Sequence, residues 1–243
     1  MRFTHAELVR FALPLVQPFR TSYGVETARH GFLVRLTGPD GEGWGECVAE
    51  AEPLYSPEYS DGAYEVTQRF LLPRLDPRST QASTVAERFA PVRGHRMAKA
   101  AIEAAVLDAE CRMDGVSLVE RLGGLPRLVT AGVAVGIQPS IDQLLEVVAG
   151  YVAEGYRRVK LKIEPGNDIG PVRAVRERFG NDLMLQVDAN QAYSLSDSPI
   201  LAKLDKFGLQ LIEQPLPEDD LFGHARLAEL IETPVCLDES ITS

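Results

Sequence analysis

Asp188 in LQVDAN, Glu213 in LIEQP and Asp238 in CLDES are acids that recur at one period, each closing a short apolar run of β character. Lys160 and Lys162 stand on the preceding run, VKLKI. Successive side chains of a strand point to opposite faces, so Lys160 and Lys162 share one face while Val159, Leu161 and Ile163 share the other. LQVDAN repeats that division, with Gln186, Asp188 and Asn190 set against Leu185, Val187 and Ala189. Carboxylates withdrawn from water are costly unless paired or bound to a metal, and three converging on one point repel one another without a cation. A divalent cation resolves that conflict. Ligands that are all oxygen, without His or Cys, favour Mg2+ over zinc, with Mn2+ as the alternative, and leave octahedral positions for water and a bidentate substrate. Taken singly, each acid reads equally well as a solvated strand end or a helix cap; the common period sets the three apart.

A lysine on a strand at a barrel edge commonly extends to water and does nothing. Beside a metal site, an ammonium crowded by a second cation and by the metal should have a lowered pKa and so serve as a base near neutral pH. Lys162, nearer the strand's end, is the expected acid/base; Lys160 is expected to tune it and to hold a substrate carboxylate. Glu239 reads either as a neighbour of the lysine ammonium or as an ordinary surface acid. His5, His30, His95 and His224 are scattered without metal-ligand or triad spacing and read as structural or surface residues. Trp44 reads as a core or interdomain anchor, and no P-loop, GxSxG or HExxH motif is present.

The elements that must position these residues follow from the period. Segments of β character start near Thr130, Tyr156, Leu183, Leu209 and Val235, about 26 residues apart, with helical stretches such as SIDQLLEVVAGYVAEG and DIGPVRAVRERFG between them. Strand, helix and strand at that spacing mark βαβ units and a parallel sheet. Without a dinucleotide glycine motif, a (β/α) barrel is favoured over a doubly wound sheet, and barrel catalytic groups sit at the C-terminal ends of strands. Ahead of Gly123-Gly124 the pattern differs. LVRFAL, HGFLVRLT and GWGECV, with the turn GPDGEG, predict an antiparallel meander; the irregular pieces QPFRTSYG and EAEPLYSPEYSDG predict loops open to motion; Ala63 to Leu72 and Met97 to Met113 have helical spacing. The expected fold is α/β: an α+β domain over residues 1–123, then a (β/α) barrel of the TIM type over 124–243.

Composition narrows the partners. The chain has 243 residues, 45% apolar and 25% charged, as in soluble globular proteins. A net charge of −10 removes the basic footprint that holds nucleic acid or anionic membrane, so neither is expected as a partner. The amino-terminal apolar run is broken by charges and too short for a signal peptide, and no stretch approaches a membrane span. Cys47, Cys111 and Cys236 form no CxxC pair, which argues against a disulfide framework and a zinc site and makes a reducing cytoplasm the expected location.

KLKIEPG, LQVDANQAY, LIEQPL and CLDES together resemble the enolase superfamily, muconate-lactonising subgroup. Within it, PLVQPFRTSYG, GEGWGECV, PLYSPEYSDGA and GHRMAKAAIEAAVLDAE resemble the N-acylamino acid racemase/o-succinylbenzoate synthase proteins. The resemblance implies that residues 1–123 are a capping domain, whose loops around Phe19 to Tyr23 and Glu50 to Tyr55 close over a small-molecule carboxylate. Phe19, Tyr23, Tyr55 and Asn190 would contact that substrate. Asp188, Glu213 and Asp238 would hold Mg2+, which stabilises the ene-diolate formed when Lys162 removes the α-proton. Dehydration to o-succinylbenzoate, a step of menaquinone biosynthesis, needs one lysine; racemisation of N-acylamino acids needs a second base on the opposite face. A dipeptide epimerase shares KxK and stays open, as do a non-catalytic carboxylate-binding protein, an inactive fragment and a homo-oligomeric state. In relatives the barrel continues through three more strands, with the second lysine on the next of them, so truncation after the fifth barrel strand is expected. Polar Glu50 in the second cap loop leaves acyl and side-chain preference open.

Overall fold

The computed structural model describes residues 1–242. It divides into two compact units, Met1–Pro14 with Ala28–Leu128, and Leu15–Thr27 with Val129–Ser243.

An antiparallel sheet runs in the order β1 (His5–Arg20), β2 (Val25–Gly38), β3 (Gly41–Cys47), and the first unit is built on all of it but the Leu15–Thr27 hairpin end, which belongs to the second. The Pro39-Asp40-Gly41 turn joins β2 to β3 as expected, with Gly41 at a φ of 118° that a side chain rarely adopts. Alternation decides the faces: Phe32, Val34 and Leu36 on β2 are fully buried. Their partners on β3 are Cys47, Gly45 and Gly43. Four helices follow: α1 (Ser60–Val66), prolonged through a wide turn at Thr67–Leu71, α2 (Ala82–Phe89), α3 (Arg96–Asp114) and α4 (Leu118–Arg121). The α3 helix lies directly on β3, because Ala101, Ala105 and Ala109 meet a strand with glycines at its contact points. Gly115 ends it at a φ of 65°. Its start is capped from a distance, Glu58 accepting the backbone N–H groups of Met97 and Ala98 at 3.0 and 3.2 Å.

Two expectations change here. The piece around QPFR is not a loop: β1 runs to Arg20, and only a tight turn closed by the Thr21 N–H on the Gly24 carbonyl separates it from β2. Trp44 is not a core anchor either. It is half-exposed, its ring under the Arg35 guanidinium at 5.0 Å and its indole N–H on Glu42. The polar strand face opposite Val34 and Leu36 carries it outward.

The second unit holds a parallel sheet of five strands in sequence order, β4 (Gly132–Val135), β5 (Arg158–Lys162), β6 (Met184–Asp188), β7 (Ile212–Glu213) and β8 (Val235–Cys236). Between them run α5 (Ile141–Ala153), α6 (Ile169–Phe179), the short α7 (Ser198–Leu201) flanked by 3-10 turns, and α8 (Leu221–Ala228). Ser140, Asp168 and Asp220 cap α5, α6 and α8 with their side chains. Val159, Leu161, Ile163, Leu185 and Val187 form one core with Val148, Val172 and Val175 of the helices. The opposite sheet face is left to the lysines and acids. The sheet is open among the described residues, with β4 and β8 at its edges. No helix among them is long and apolar enough to cross a membrane.

Candidate active site

Parallel register creates the site. Lys162 is the Cα partner of Asp188, Lys160 of Gln186, and Asp188 in turn of Glu213. Side chains on the face away from the helices are therefore stacked strand by strand. Lys162 Nζ donates to Asp188 Oδ2 at 2.7 Å and to Asn190 Oδ1 at 2.6 Å. Lys160 Nζ bridges Glu213 Oε1 at 2.6 Å and Asp188 Oδ2 at 3.0 Å. The Asp188 side chain is 1% exposed and that of Lys162 10%, so these pairs are withdrawn from water.

Burial and charge compete at each group. For Asp188 burial favours the neutral acid, but the Lys162 and Lys160 ammonium groups outweigh it and its pKa falls below the ordinary aspartate value. Glu213 goes the other way: burial, with Asp188 beside it, overcomes the hydrogen bond from Lys160 and its pKa rises. Lys160, the residue expected to tune Lys162, is itself held between opposing influences. Burial pulls it down, but the hydrogen bond from its ammonium to Glu213 and the charge of Asp188 more than compensate, and the pKa rises. Two acids, rather than a second cation, dominate its surroundings.

Asp238 lies two residues beyond β8 rather than on it. It is half-buried, and its backbone N–H donates to Gln214 Oε1 at 2.8 Å. Among the described residues no three His, Cys, Asp or Glu side chains converge as they stand into a group that closes on an ion. The structure thus brings Asp188, Glu213, Lys160 and Lys162 together and sets Asp238 on the adjoining turn.

Asn190 has both ends of its amide engaged, Oδ1 by Lys162 and Nδ2 on Glu239 Oε1 at 3.0 Å. Glu239 is buried, and its second oxygen, Oε2, has no hydrogen-bond partner. It meets the lysine through Asn190. Phe19 is half-buried at the end of β1, where a side chain on Gly136 would meet its ring and the Arg20 backbone at 3.0 to 3.3 Å. The Arg20 carbonyl accepts the Ile137 N–H at 2.9 Å, and its guanidinium reaches Glu164 at 2.8 Å. Tyr23 is 37% exposed in the next turn, whose Ser22 hydroxyl donates to the Ala189 carbonyl at 3.1 Å. Tyr55 is half-buried in the first unit. A cavity of about 170 Å³ beside Lys162 is lined by Gly136, Ile137, Gln138, Leu161 and Asn167.

Sequence reasoning missed the turns that hold these groups. Asn190, Gln191 and Gln214 have φ of 42°, 67° and 37°, left-handed values that non-glycine residues adopt at a cost and that cluster at functional sites. Gln214 is fully buried. A glutamine directly after Glu213 and before the apolar Pro215-Leu216 was the available signal. His224 is structural as expected, its Nε2 accepting the Leu216 N–H.

Residues 143–243 match the family model described as enolase C-terminal domain-like, and residues 4–123 match the mandelate racemase/muconate lactonizing enzyme N-terminal domain. The chain is 57% identical over 244 residues to an N-succinylamino acid racemase of Amycolatopsis sp, covering 100% of the chain and 66% of the relative. It is 46% identical to an o-succinylbenzoate synthase of Geobacillus kaustophilus, covering 95% of the chain and 62% of the relative. A solved enolase-superfamily structure from Listeria innocua superposes with a TM-score of 0.93 at 40% identity, over 100% of this chain and 66% of that one. The chain thus spans just under two thirds of the length of these proteins.

Proposed function

The chain belongs to the enolase superfamily, in its mandelate racemase/muconate lactonizing branch, and from that premise we propose that it removes the proton α to the carboxylate of a small substrate. Either o-succinylbenzoate is formed by dehydration or N-acylamino acids are racemised; the similar proteins are an o-succinylbenzoate synthase and an N-succinylamino acid racemase. The observation that carries the reading is the hydrogen-bonded row of Lys162, Asp188, Lys160 and Glu213 at the C-terminal ends of adjacent parallel strands.

The donor set fits a hard divalent cation. Asp188 and Glu213 present oxygens alone, and both are withdrawn from water. Asp188, Glu213 and Asp238 would hold Mg2+ or Mn2+. When bound, that ion supplies the positive charge that lets a substrate carboxylate accept the electrons left by the departing α-proton.

The rest falls to the chain itself. Lys162, as the neutral amine, takes the proton on one face of the substrate and becomes the ammonium; its Nζ lies between Asp188 and Asn190, which fixes its direction. Lys160 offers its charge to the carboxylate end of the substrate. Phe19, with the arm of β1 that bonds to Ile137, and Tyr23 wall the site on the side of the Ser22 turn; Tyr55 is assigned to the cap loop of the first unit. The (β/α) barrel of the superfamily is the frame proposed for the open five-stranded sheet, with residues 1–123 as the capping domain. One lysine on one face suffices for dehydration and for α-proton exchange, whereas racemisation calls for a base on each face.

The test offers an N-succinylamino acid, a cyclohexadiene carboxylate precursor of o-succinylbenzoate and an Ala-Glu dipeptide side by side in deuterated water with Mg2+. Exchange or turnover of either of the first two supports the proposal. Exchange confined to the dipeptide makes the chain an epimerase, and magnesium binding with no exchange on any of the three makes it a non-catalytic carboxylate binder.

A further inference from the structure

We propose that Gln214 is a positioning residue, which fixes the turn bearing Asp238 and Glu239 to the end of β7 and thereby sets the third metal ligand. The inference rests on the reading of Asp238 as a ligand. Gln214 directly follows Glu213 and is fully buried. Its Oε1 accepts two backbone N–H groups of one turn, Asp238 at 2.8 Å and Ser240 at 3.2 Å. Its Nε2 donates to Ser240 Oγ at 2.8 Å and to the Leu216 carbonyl at 3.1 Å, and the Ser240 hydroxyl passes on to the Glu218 carbonyl at 2.7 Å. Its main chain is used as fully, with the N–H on the Cys236 carbonyl and the carbonyl accepting from Gln191, both within 2.8 Å.

One side chain thus ties the exit of β7 to the exit of β8: apart from a longer contact of Nε2 with His224 Nε2 on α8 at 3.4 Å, the bonds of its amide land on the turn that carries a ligand or on the loop beside it. β8 is only Val235–Cys236, too short to aim a residue two positions beyond its end. Glu239 on the same turn holds Asn190, which holds Lys162, so the brace also reaches the base. The opposite end of β8 has a brace of the same kind that carries no ligand. Asp205 accepts the N–H groups of Glu232 and Thr233 at 3.0 and 2.9 Å and the Thr233 hydroxyl at 2.7 Å.

That symmetry supplies the control. Mg2+ affinity by calorimetry and thermal unfolding are measured on the full chain and on Gln214→Met, Ser240→Ala, Asp238→Ala and Asp205→Asn. Gln214→Met keeps the length and loses the bonds; its Kd for Mg2+ is expected to rise about 10- to 100-fold, the usual effect of losing an outer-shell partner. Ser240→Ala is expected to shift it in the same direction by a smaller factor. Asp205→Asn is expected to lower the melting temperature and leave the Kd unchanged. If Asp238→Ala weakens Mg2+ while folded Gln214→Met does not, Gln214 is a packing residue and the metal reading stands. If Gln214→Met fails to fold, an unchanged Kd in Ser240→Ala overturns the inference. If Asp238→Ala itself leaves the Kd unchanged, the ligand reading falls and this inference with it.

Discussion

Lys162 and Asp188 are partners in the register of adjacent parallel strands, and their side chains meet at 2.7 Å on the face turned away from the helices. The pairing of a K-x-K strand with a D-x-N strand follows from that register alone. Shifting either strand by one residue would send its charged side chains into the helix-packed core. The hydrophobic core therefore fixes the face on which the chemistry lies, because burying Leu161 and Val187 turns Lys162 and Asp188 together to the opposite side.

Lys160→Met removes the cation that bridges Asp188 and Glu213 and leaves two acids in contact. In Mg2+-free buffer the substitution is expected to cost about 3–5 kcal/mol in urea unfolding, the usual effect of breaking a buried pair from one side. Added Mg2+ is expected to restore part of that loss by binding only the folded state. A variant as stable as the parent without metal would show that the two carboxylates do not need the lysine.

Glu239→Gln tests the electrostatics of the same turn. Burial, with Asp238 and Asp188 nearby, holds the Glu239 carboxyl above its ordinary range, against the opposing bond from Asn190. An acid whose folded pKa is raised favours the fold while protonated and loses that advantage as pH climbs through the folded pKa. Glutamine keeps an acceptor for Asn190 and cannot ionise. The variant is expected to melt above the parent at pH 7 and level with it at pH 3, read from thermal scans across that range. A variant that melts below the parent at pH 7 would mean that the ionised carboxylate is stabilising.

Gly45→Ala probes the first unit. A methyl group at Gly45 would lie 1.9 Å from the Ala101 carbonyl oxygen and 2.8 Å from the Ala105 nitrogen, both backbone atoms of α3. Helix and strand must separate, and a loss of at least about 1–3 kcal/mol is expected, as for overpacked cores. Gly24→Ala, with nothing within 4 Å, serves as the comparison in the same thermal measurement. Equal melting temperatures for the two variants would contradict the close approach of α3 to β3.

Much of this was legible in the sequence because it rests on alternation and period. VKLKI and LQVDAN declared their faces, the five strands of the parallel sheet start within about three residues of where the repeat placed them, and α3 ends at Gly115. What was hidden depends on contacts between distant segments. The strand character of QPFR comes from pairing within the sheet, and the fold of Leu15–Thr27 with the second unit depends on partners such as Ile137 and Ala189, far away in the chain. The raised pKa of Lys160 reflects two acids on neighbouring strands, where the linear text showed a second lysine two residues away. The bracing role of Gln214 was hidden for the same reason, since its partners belong to a turn that only the register of β7 and β8 brings within reach, and the two readings left open for Glu239 were decided by its bond from Asn190 on a distant strand end.

Lys162→Ala in deuterated water with Mg2+ and an N-succinylamino acid tests the central claim most directly, with loss of the α-proton signal followed by NMR. Removal of the general base is expected to slow exchange by at least about 10²- to 10⁴-fold. Mg2+ affinity should persist, since the acids remain. Exchange at the parental rate in the alanine variant would contradict the assignment of Lys162 as the group that takes the proton.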